Sequence, residues 1–153
     1  MAHEATDPGK GDSTGADNYL WTCTVHGAGL ATMTAEEWLR GVWEDAPRAS
    51  RMFLRVGWRF GLGLRLGPAD PSHVLGWHID ASTDQVVVVS ATSFILSATN
   101  TLTVEDDLIR WQTDVSHGHV IGRLVWRAAA LVHQRFVPWS VRRAIRSHRR
   151  VSR

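Results

Sequence analysis

At 153 residues, with a hydrophobic fraction of 44%, the chain is long enough for one domain with a sizeable core. Its single cysteine excludes an intrachain disulfide framework and a cysteine-based metal site, and this usage is typical of a reducing compartment. The formal net charge of +2 is unevenly spread, because six arginines lie in the last twelve residues and the remainder is mildly acidic.

The N-terminal segment carries few large apolar side chains. Residues 1–17 are rich in Asp, Gly, Ser and Thr, which predicts a disordered N-terminal arm. Because this segment has no apolar run, we expect no signal peptide. No stretch of 18 apolar residues occurs in the chain, so we expect no membrane span and a cytoplasmic protein.

A strand and a helix follow the predicted arm. β-forming residues at positions 19–25 predict the strand. Thr34 can cap a helix, and Glu37 follows three residues later, as a capping box requires. We therefore predict a helix over residues 34–46, which ends before Pro47.

A second helix is predicted over residues 48–64. Its arginines recur at intervals of three or four and form a polar stripe. The residues predicted on its apolar side are Met52, Phe53, Val56 and Phe60. The glycines of GLGLRLG weaken its end, and their spacing after a helix does not match a dinucleotide-binding fingerprint. Together the two helices would form a lid.

Four antiparallel strands are predicted next, over residues 73–80, 86–91, 94–104 and 109–117. Apolar and polar residues alternate clearly in the last two strands, so one face of each is predicted to point inward. The inward residues are Leu96, Ala98, Asn100, Leu102, Val104, Ile109, Trp111, Thr113, Val115 and His117.

After SHGH the apolar period changes from two to 3.6 residues, which predicts a long C-terminal helix that runs to about Val137. Pro138 would kink or restart it. The predicted apolar stripe consists of Ile121, Leu124, Val125, Ala128, Leu131 and Val132. This helix can bury its stripe only against the sheet, so the predicted class is α+β, with a curved antiparallel sheet wrapped around the helix.

In this order of elements the chain resembles the helix-grip superfamily that includes START lipid-transfer domains, aromatic polyketide cyclases and pollen-allergen-like proteins (SRPBCC). Within this superfamily, the chain resembles a small uncharacterised bacterial family. Four segments carry this resemblance: APRASRMFLRVGWRFGLGLRLGP, VLGWHID, SATSFILSATNTLTVEDD and GRLVWRAAALVHQRFVPWSVRRA. The resemblance covers residues 18–147, followed by a basic tail at 148–153. It implies a hydrophobic cavity between sheet and last helix, and it includes no catalytic signature. Five strands are predicted here, whereas helix-grip proteins usually have six or seven.

Inward-facing side chains define a candidate ligand site. The residues predicted to line it are Trp77, Leu96, Asn100, Leu102, Trp111, Thr113, His117, Leu124, Ala128 and Leu131. Trp77 and Trp111 could form flat walls for a ligand or simply fill the core. Asn100 and Thr113 need hydrogen-bond partners when buried, and the candidates are a ligand, a water or a tryptophan N–H.

His117 is the best catalytic candidate in the sequence, because an unperturbed imidazole titrates near neutral pH. His117 and His119 could contribute to a metal site, but no acidic third ligand stands at a fixed spacing, so a structural role is favoured. We predict neither a metal nor a cofactor.

Three functions follow as hypotheses. The first is binding of a small hydrophobic molecule, such as a lipid, an isoprenoid or a polyketide-like compound. The second is a cyclase or dehydratase that uses the same cavity, with His117 or Asn100 at the substrate. The third is a filled core, with function in a homodimer or through a protein partner. No motif indicates nucleic-acid binding, and the basic tail leaves open a weak contact with a membrane surface.

Overall fold

The protein is described by a computed structural model that covers residues 18–151. The strands are β1 (Asn18–His26), β2 (His73–Val74), β3 (Trp77–Ser82), β4 (Val86–Thr92), β5 (Leu96–Val104) and β6 (Leu108–His117). The helices are α1 (Ala35–Trp43), α2 (Arg48–Val56) and α3 (Val120–Val151), with a 3-10 turn at Leu30–Thr32 and a π-helical turn at Gly57–Gly61. The predicted arm, residues 1–17, lies outside the described residues.

The six strands form one antiparallel sheet in the order β1-β6-β5-β4-β3-β2. The sheet curves around the long helix α3, and the two short helices follow β1, so the predicted α+β class is confirmed. Alternation in β5 and β6 is also as predicted, because every second residue is buried from Leu96 to Val104 and from Ile109 to Val115. The register sets Asn100 opposite Thr113.

The predicted strand over residues 73–80 is two strands joined by a tight turn. Leu75 and Gly76 have φ angles of 48° and 94°, which is typical of the turn in a two-residue hairpin. A side chain at Gly76 would also crowd Leu66, since an added Cβ would lie 2.8 Å from the Leu66 Cβ. The described residues therefore form six strands rather than the predicted five.

The predicted cap of α1 is confirmed. Thr34 Oγ1 accepts a hydrogen bond from the Glu37 backbone N–H, and the Glu37 carboxylate accepts one from the Thr34 N–H at 2.8 Å. At the other end of α1, Arg143 of α3 donates to the carbonyl oxygens of Gly41 and Val42. These contacts fix α1 between the sheet and α3.

Helix α3 differs from its prediction in length and in orientation. It continues through Pro138 to Val151, so the predicted end near Val137 is wrong, and part of the predicted tail is helical. The predicted stripe packs in part, since Val125 packs against the core, whereas Ile121, Leu124 and Leu131 are exposed. The residues that α3 buries are Gly122, Trp126, Ala130, Val137, Ser140, Val141, Ala144 and Ile145.

The apolar side of α2 is exposed as well. Leu54 is its buried residue, whereas Met52, Phe53 and Val56 are exposed, and so is Phe60 in the π-helical turn. The regular α-helix ends at Val56, earlier than predicted, where the glycines begin. Within residues 18–151, no helix combines the length and the apolar character needed to cross a membrane.

Candidate functional site

A cavity of ≈ 460 Å³ lies between the sheet, the α2 region and the middle of α3. Its volume falls in the range typical of small-molecule sites. The residues that line it include Phe53, Leu54, Gly57, Trp58, Trp77, Ala98, Asn100, Trp111, Thr113, Val125, Trp126, Ala128, Ala129, Val132, His133 and Phe136. Its lining contains no Asp, Glu, Lys or Arg side chain among the described residues. The cavity is therefore apolar, with a few neutral polar groups.

Tryptophan rings form much of the wall. The Trp43 ring packs against the rings of Trp58, Trp77 and Trp111, with centroids 4.9, 5.6 and 5.5 Å apart. These edge-on and tilted contacts are the favoured geometry for aromatic pairs. Trp77 and Trp111 are therefore buried in the core and also line the cavity.

Asn100 and Thr113 belong to one buried hydrogen-bond cluster. Asn100 Oδ1 accepts from Trp111 Nε1 at 3.0 Å and from Thr113 Oγ1 at 2.6 Å. A tryptophan N–H, one of the three partners considered from sequence, therefore serves Asn100. All of these bonds use Oδ1, so the carboxamide N–H₂ takes no part in the cluster.

His133 of α3 completes the cluster. Its Nε2 lies 2.9 Å from Thr113 Oγ1. The single Thr113 hydroxyl hydrogen is given to Asn100 Oδ1, an acceptor, so the imidazole must be the donor at Nε2. Burial lowers the pKa of His133 from its usual 6.5 to about 4, because the imidazolium loses its solvation. His133 is therefore neutral at physiological pH.

Two further polar groups on the cavity lining are indole N–H donors. The Nε1 atoms of Trp77 and Trp126 are buried and have no hydrogen-bond partner within residues 18–151. A buried donor without a partner costs about 1–3 kcal/mol, so an acceptor that reaches either group would be stabilised there.

Of the ten predicted lining residues, five line the cavity and five do not. Trp77, Asn100, Trp111, Thr113 and Ala128 are brought together around the cavity. Leu96 and Leu102 are buried in the core outside it, and Leu124 and Leu131 are exposed. His117 ends β6 opposite Leu96 and does not line the cavity either.

Trp126 and His133 were missing from the predicted site. They stand seven residues apart, two helical turns, and therefore share a face of α3. The signal was available, because one polar residue on an otherwise apolar arc is unusual.

Metal-binding potential is low in the described part of the chain. Within residues 18–151, no group of three or more His, Cys, Asp or Glu side chains could hold a metal ion. His119 stacks on Phe94 with ring centroids 5.9 Å apart. Cys23 is half-buried, and burial raises the pKa of its thiol, which keeps it in the unreactive protonated form.

A curved antiparallel sheet gripping a long C-terminal helix, with an apolar cavity between them, defines a helix-grip protein. No protein-family model matches the chain, and no curated protein matches its sequence. Among solved structures the chain is similar to the di-domain ARO/CYC BexL from the BE-7585A biosynthetic pathway, with 10% sequence identity and a TM-score of 0.40. The similarity covers 84% of this chain and 50% of the BexL chain, so this chain spans about half the length of BexL.

Proposed function

We propose that the cavity binds a small, neutral, hydrophobic molecule, such as a lipid, an isoprenoid or a polyketide-like compound. The observation that carries this proposal is an apolar cavity of ≈ 460 Å³ whose described lining holds no formal charge. We also propose that the chain belongs to the SRPBCC superfamily, on the four segments that resemble it.

The ligand is proposed to be neutral because the cavity offers no countercharge. Moving an ion from water into an apolar site is very costly unless it is paired. His133, the titratable group of the cluster, is itself held neutral by burial. A charged ligand would therefore lose its hydration without compensation.

The ligand is further proposed to carry a hydrogen-bond acceptor, such as a carbonyl or ether oxygen. The donors that the cavity lining leaves for it are the Asn100 carboxamide N–H₂ and the indole N–H groups of Trp77 and Trp126. All three are donors only, so they select for acceptors. Apolar contact would supply most of the affinity, and these groups would orient the molecule.

Binding can be tested with N-phenyl-1-naphthylamine, a neutral probe that fluoresces in apolar surroundings. Five of the eight tryptophans line the cavity, so excitation of tryptophan would transfer energy to a bound probe. We expect saturable binding of one probe per chain. Ala129→Phe places a ring in the cavity and should abolish it.

Ile121→Phe is the matched control, because it adds a ring on the same helix at an exposed position outside the cavity. It should bind the probe as the unmodified protein does. Equal binding by Ala129→Phe, checked to be folded by circular dichroism, would show that the probe sits elsewhere and would remove the proposal.

A cyclase or dehydratase is the second candidate, and the chain Asn100–Thr113–His133 at the cavity wall is the observation that favours it. Such a chain could polarise a substrate carbonyl or relay a proton. A histidine with a pKa near 4 is a weak base at neutral pH, which favours binding over proton abstraction. His133→Gln keeps a hydrogen-bond donor at this site. If this variant still bound the probe but no longer converted a polyketide-like substrate that the unmodified protein converts, the result would instead support the cyclase or dehydratase.

A further inference from the structure

Exposed apolar side chains lie next to lining residues of the cavity on α2, the π-helical turn and α3. We call this the mouth surface and define it by Met52, Val56, Phe60, Leu124, Leu131 and Trp139. Phe60 is 77% exposed and Leu131 is 65% exposed. Large apolar patches on a protein surface mark binding to another molecule or to a membrane.

The mouth surface is continuous with the cavity. Phe53 of α2 and Phe136 of α3 both line the cavity, and their rings are 6.0 Å apart across the gap between the two helices. The Phe136 ring also lies 5.5 Å from that of Trp139. A row of aromatic rings therefore leads from the cavity lining to the mouth surface.

The helices that carry the mouth surface are basic throughout. Residues 48–61 contain four arginines, and α3 contains eight, which together are twelve of the 17 Lys and Arg residues. Neither segment contains an Asp or Glu, so all 15 acidic residues of the chain lie elsewhere. Arg55, Arg59, Arg127 and Arg135 are exposed beside the apolar residues.

This charge pattern selects among partners for the mouth surface. In a symmetric dimer through the mouth surface, the same patch would meet itself, and these helices would bring no carboxylate to the partner's arginines. A bilayer with anionic lipids offers both an apolar interior and negative headgroups. Helices with one apolar face and flanking arginines are typical of elements that lie in the membrane interface, where Trp139 would also be favoured.

We propose that the mouth surface docks on an anionic lipid bilayer, so that the cavity opens toward the acyl chains and exchanges its ligand with the membrane. The exchange step rests on the proposed ligand binding, whereas docking does not. The ligand class narrows accordingly to neutral molecules that reside in bilayers.

Docking can be tested by co-sedimentation of the whole protein with vesicles of phosphatidylcholine alone or mixed equally with phosphatidylglycerol. We expect binding to the mixed vesicles, weaker binding to phosphatidylcholine, and loss of binding at high salt. Arg55→Gln with Arg59→Gln should weaken binding to mixed vesicles by about tenfold or more, since each arginine near an anionic surface contributes about fivefold.

Phe60→Ser with Leu124→Ser removes two exposed apolar contacts that do not line the cavity. This double variant should also lose vesicle binding, yet should bind N-phenyl-1-naphthylamine normally in solution. Leu20→Ser, an equally exposed leucine on β1, is the control and should change neither. The probe measurement keeps failure of docking separate from failure of the cavity.

Three results would overturn the proposal. The first is no binding to either kind of vesicle. The second is vesicle binding that both double variants retain, which would assign it to another surface. The third is a dimer, measured by light scattering, that Phe60→Ser with Leu124→Ser dissociates while vesicles do not bind; the mouth surface would then be covered by a second copy of the chain.

Discussion

Thr113 on β6 and His133 on α3 are joined by a contact of 2.9 Å between Oγ1 and Nε2, which links the sheet directly to the long helix. The contact lies at the cavity wall and continues through Asn100 to Trp111. It therefore connects the two layers that enclose the cavity. Stability and binding should both depend on it.

Replacing Thr113 with Val should destabilise the fold. The change keeps the size of the side chain but leaves the His133 Nε2–H without its acceptor. A buried donor that loses its partner costs about 1–3 kcal/mol, and we expect the free energy of unfolding in urea to fall by that amount. Thr101→Val, at a half-buried position on β5, is the control and should change it by less than about 0.5 kcal/mol. Equal effects of the two changes would show that the cluster contributes nothing.

His133 should make stability depend on pH. In the folded protein its pKa is about 4, against 6.5 for the unperturbed group, so between these values the unfolded state binds more protons. The contribution of neutral His133 to the free energy of unfolding is fully present above pH 6.5 and is lost as the pH falls toward 4. Between pH 7 and pH 5 the free energy of unfolding in urea should fall in both proteins. We expect this fall to be smaller in His133→Gln than in the unmodified protein, by on the order of 1–2 kcal/mol. An identical loss in both proteins would contradict the assignment.

Gly122 should be essential for docking the start of α3. An added Cβ at Gly122 would collide with the carbonyl oxygen of Ile95 in the turn between β4 and β5. Gly122→Ala should therefore lower the free energy of unfolding by about 1–3 kcal/mol, although alanine favours helix. At Gly118 the same oxygen is 3.8 Å from an added Cβ, so Gly118→Ala should be tolerated. Thermal unfolding of the two variants checks this difference.

Arg143 should hold α1 against α3. Its guanidinium donates to the Gly41, Val42 and Asp45 carbonyls at the end of α1, where a cation is favoured by the helix dipole. Arg143→Met keeps the apolar stem and removes the donors, so we expect a loss of about 1.5–3 kcal/mol in urea unfolding. The adjacent Arg142 is exposed, and Arg142→Met should have almost no effect.

Local patterns in the sequence were sufficient to predict most of the sheet. A strand has only two faces, and in β5 and β6 the alternating apolar residues all lie on one of them. The buried face of these two strands was therefore predicted correctly. The capping box of α1 is equally local, since Thr34 and Glu37 bond to each other. The split at Leu75 was not predicted, because a non-glycine residue seldom adopts positive φ.

The orientation of α3 could not be predicted from periodicity alone. Apolar residues cover more than half of its circumference, so the pattern does not say which arc packs on the sheet. The arc with Leu124 and Leu131 is the larger one, yet the arc with Gly122 and Ala130 is buried, because small residues permit close approach. The position of His133 in the site depends on that choice. For this reason the predicted site includes Asn100, Thr113 and Ala128 but lacks Trp126 and His133.

Native mass spectrometry of the protein, purified from cells without detergent, tests the central claim most directly. The account predicts a complex of one chain with one neutral hydrophobic molecule, which organic solvent releases. The complex should be present in Ile121→Phe and absent from Ala129→Phe. A bare polypeptide mass together with no binding of N-phenyl-1-naphthylamine, or a bound molecule that Ala129→Phe retains, would contradict it.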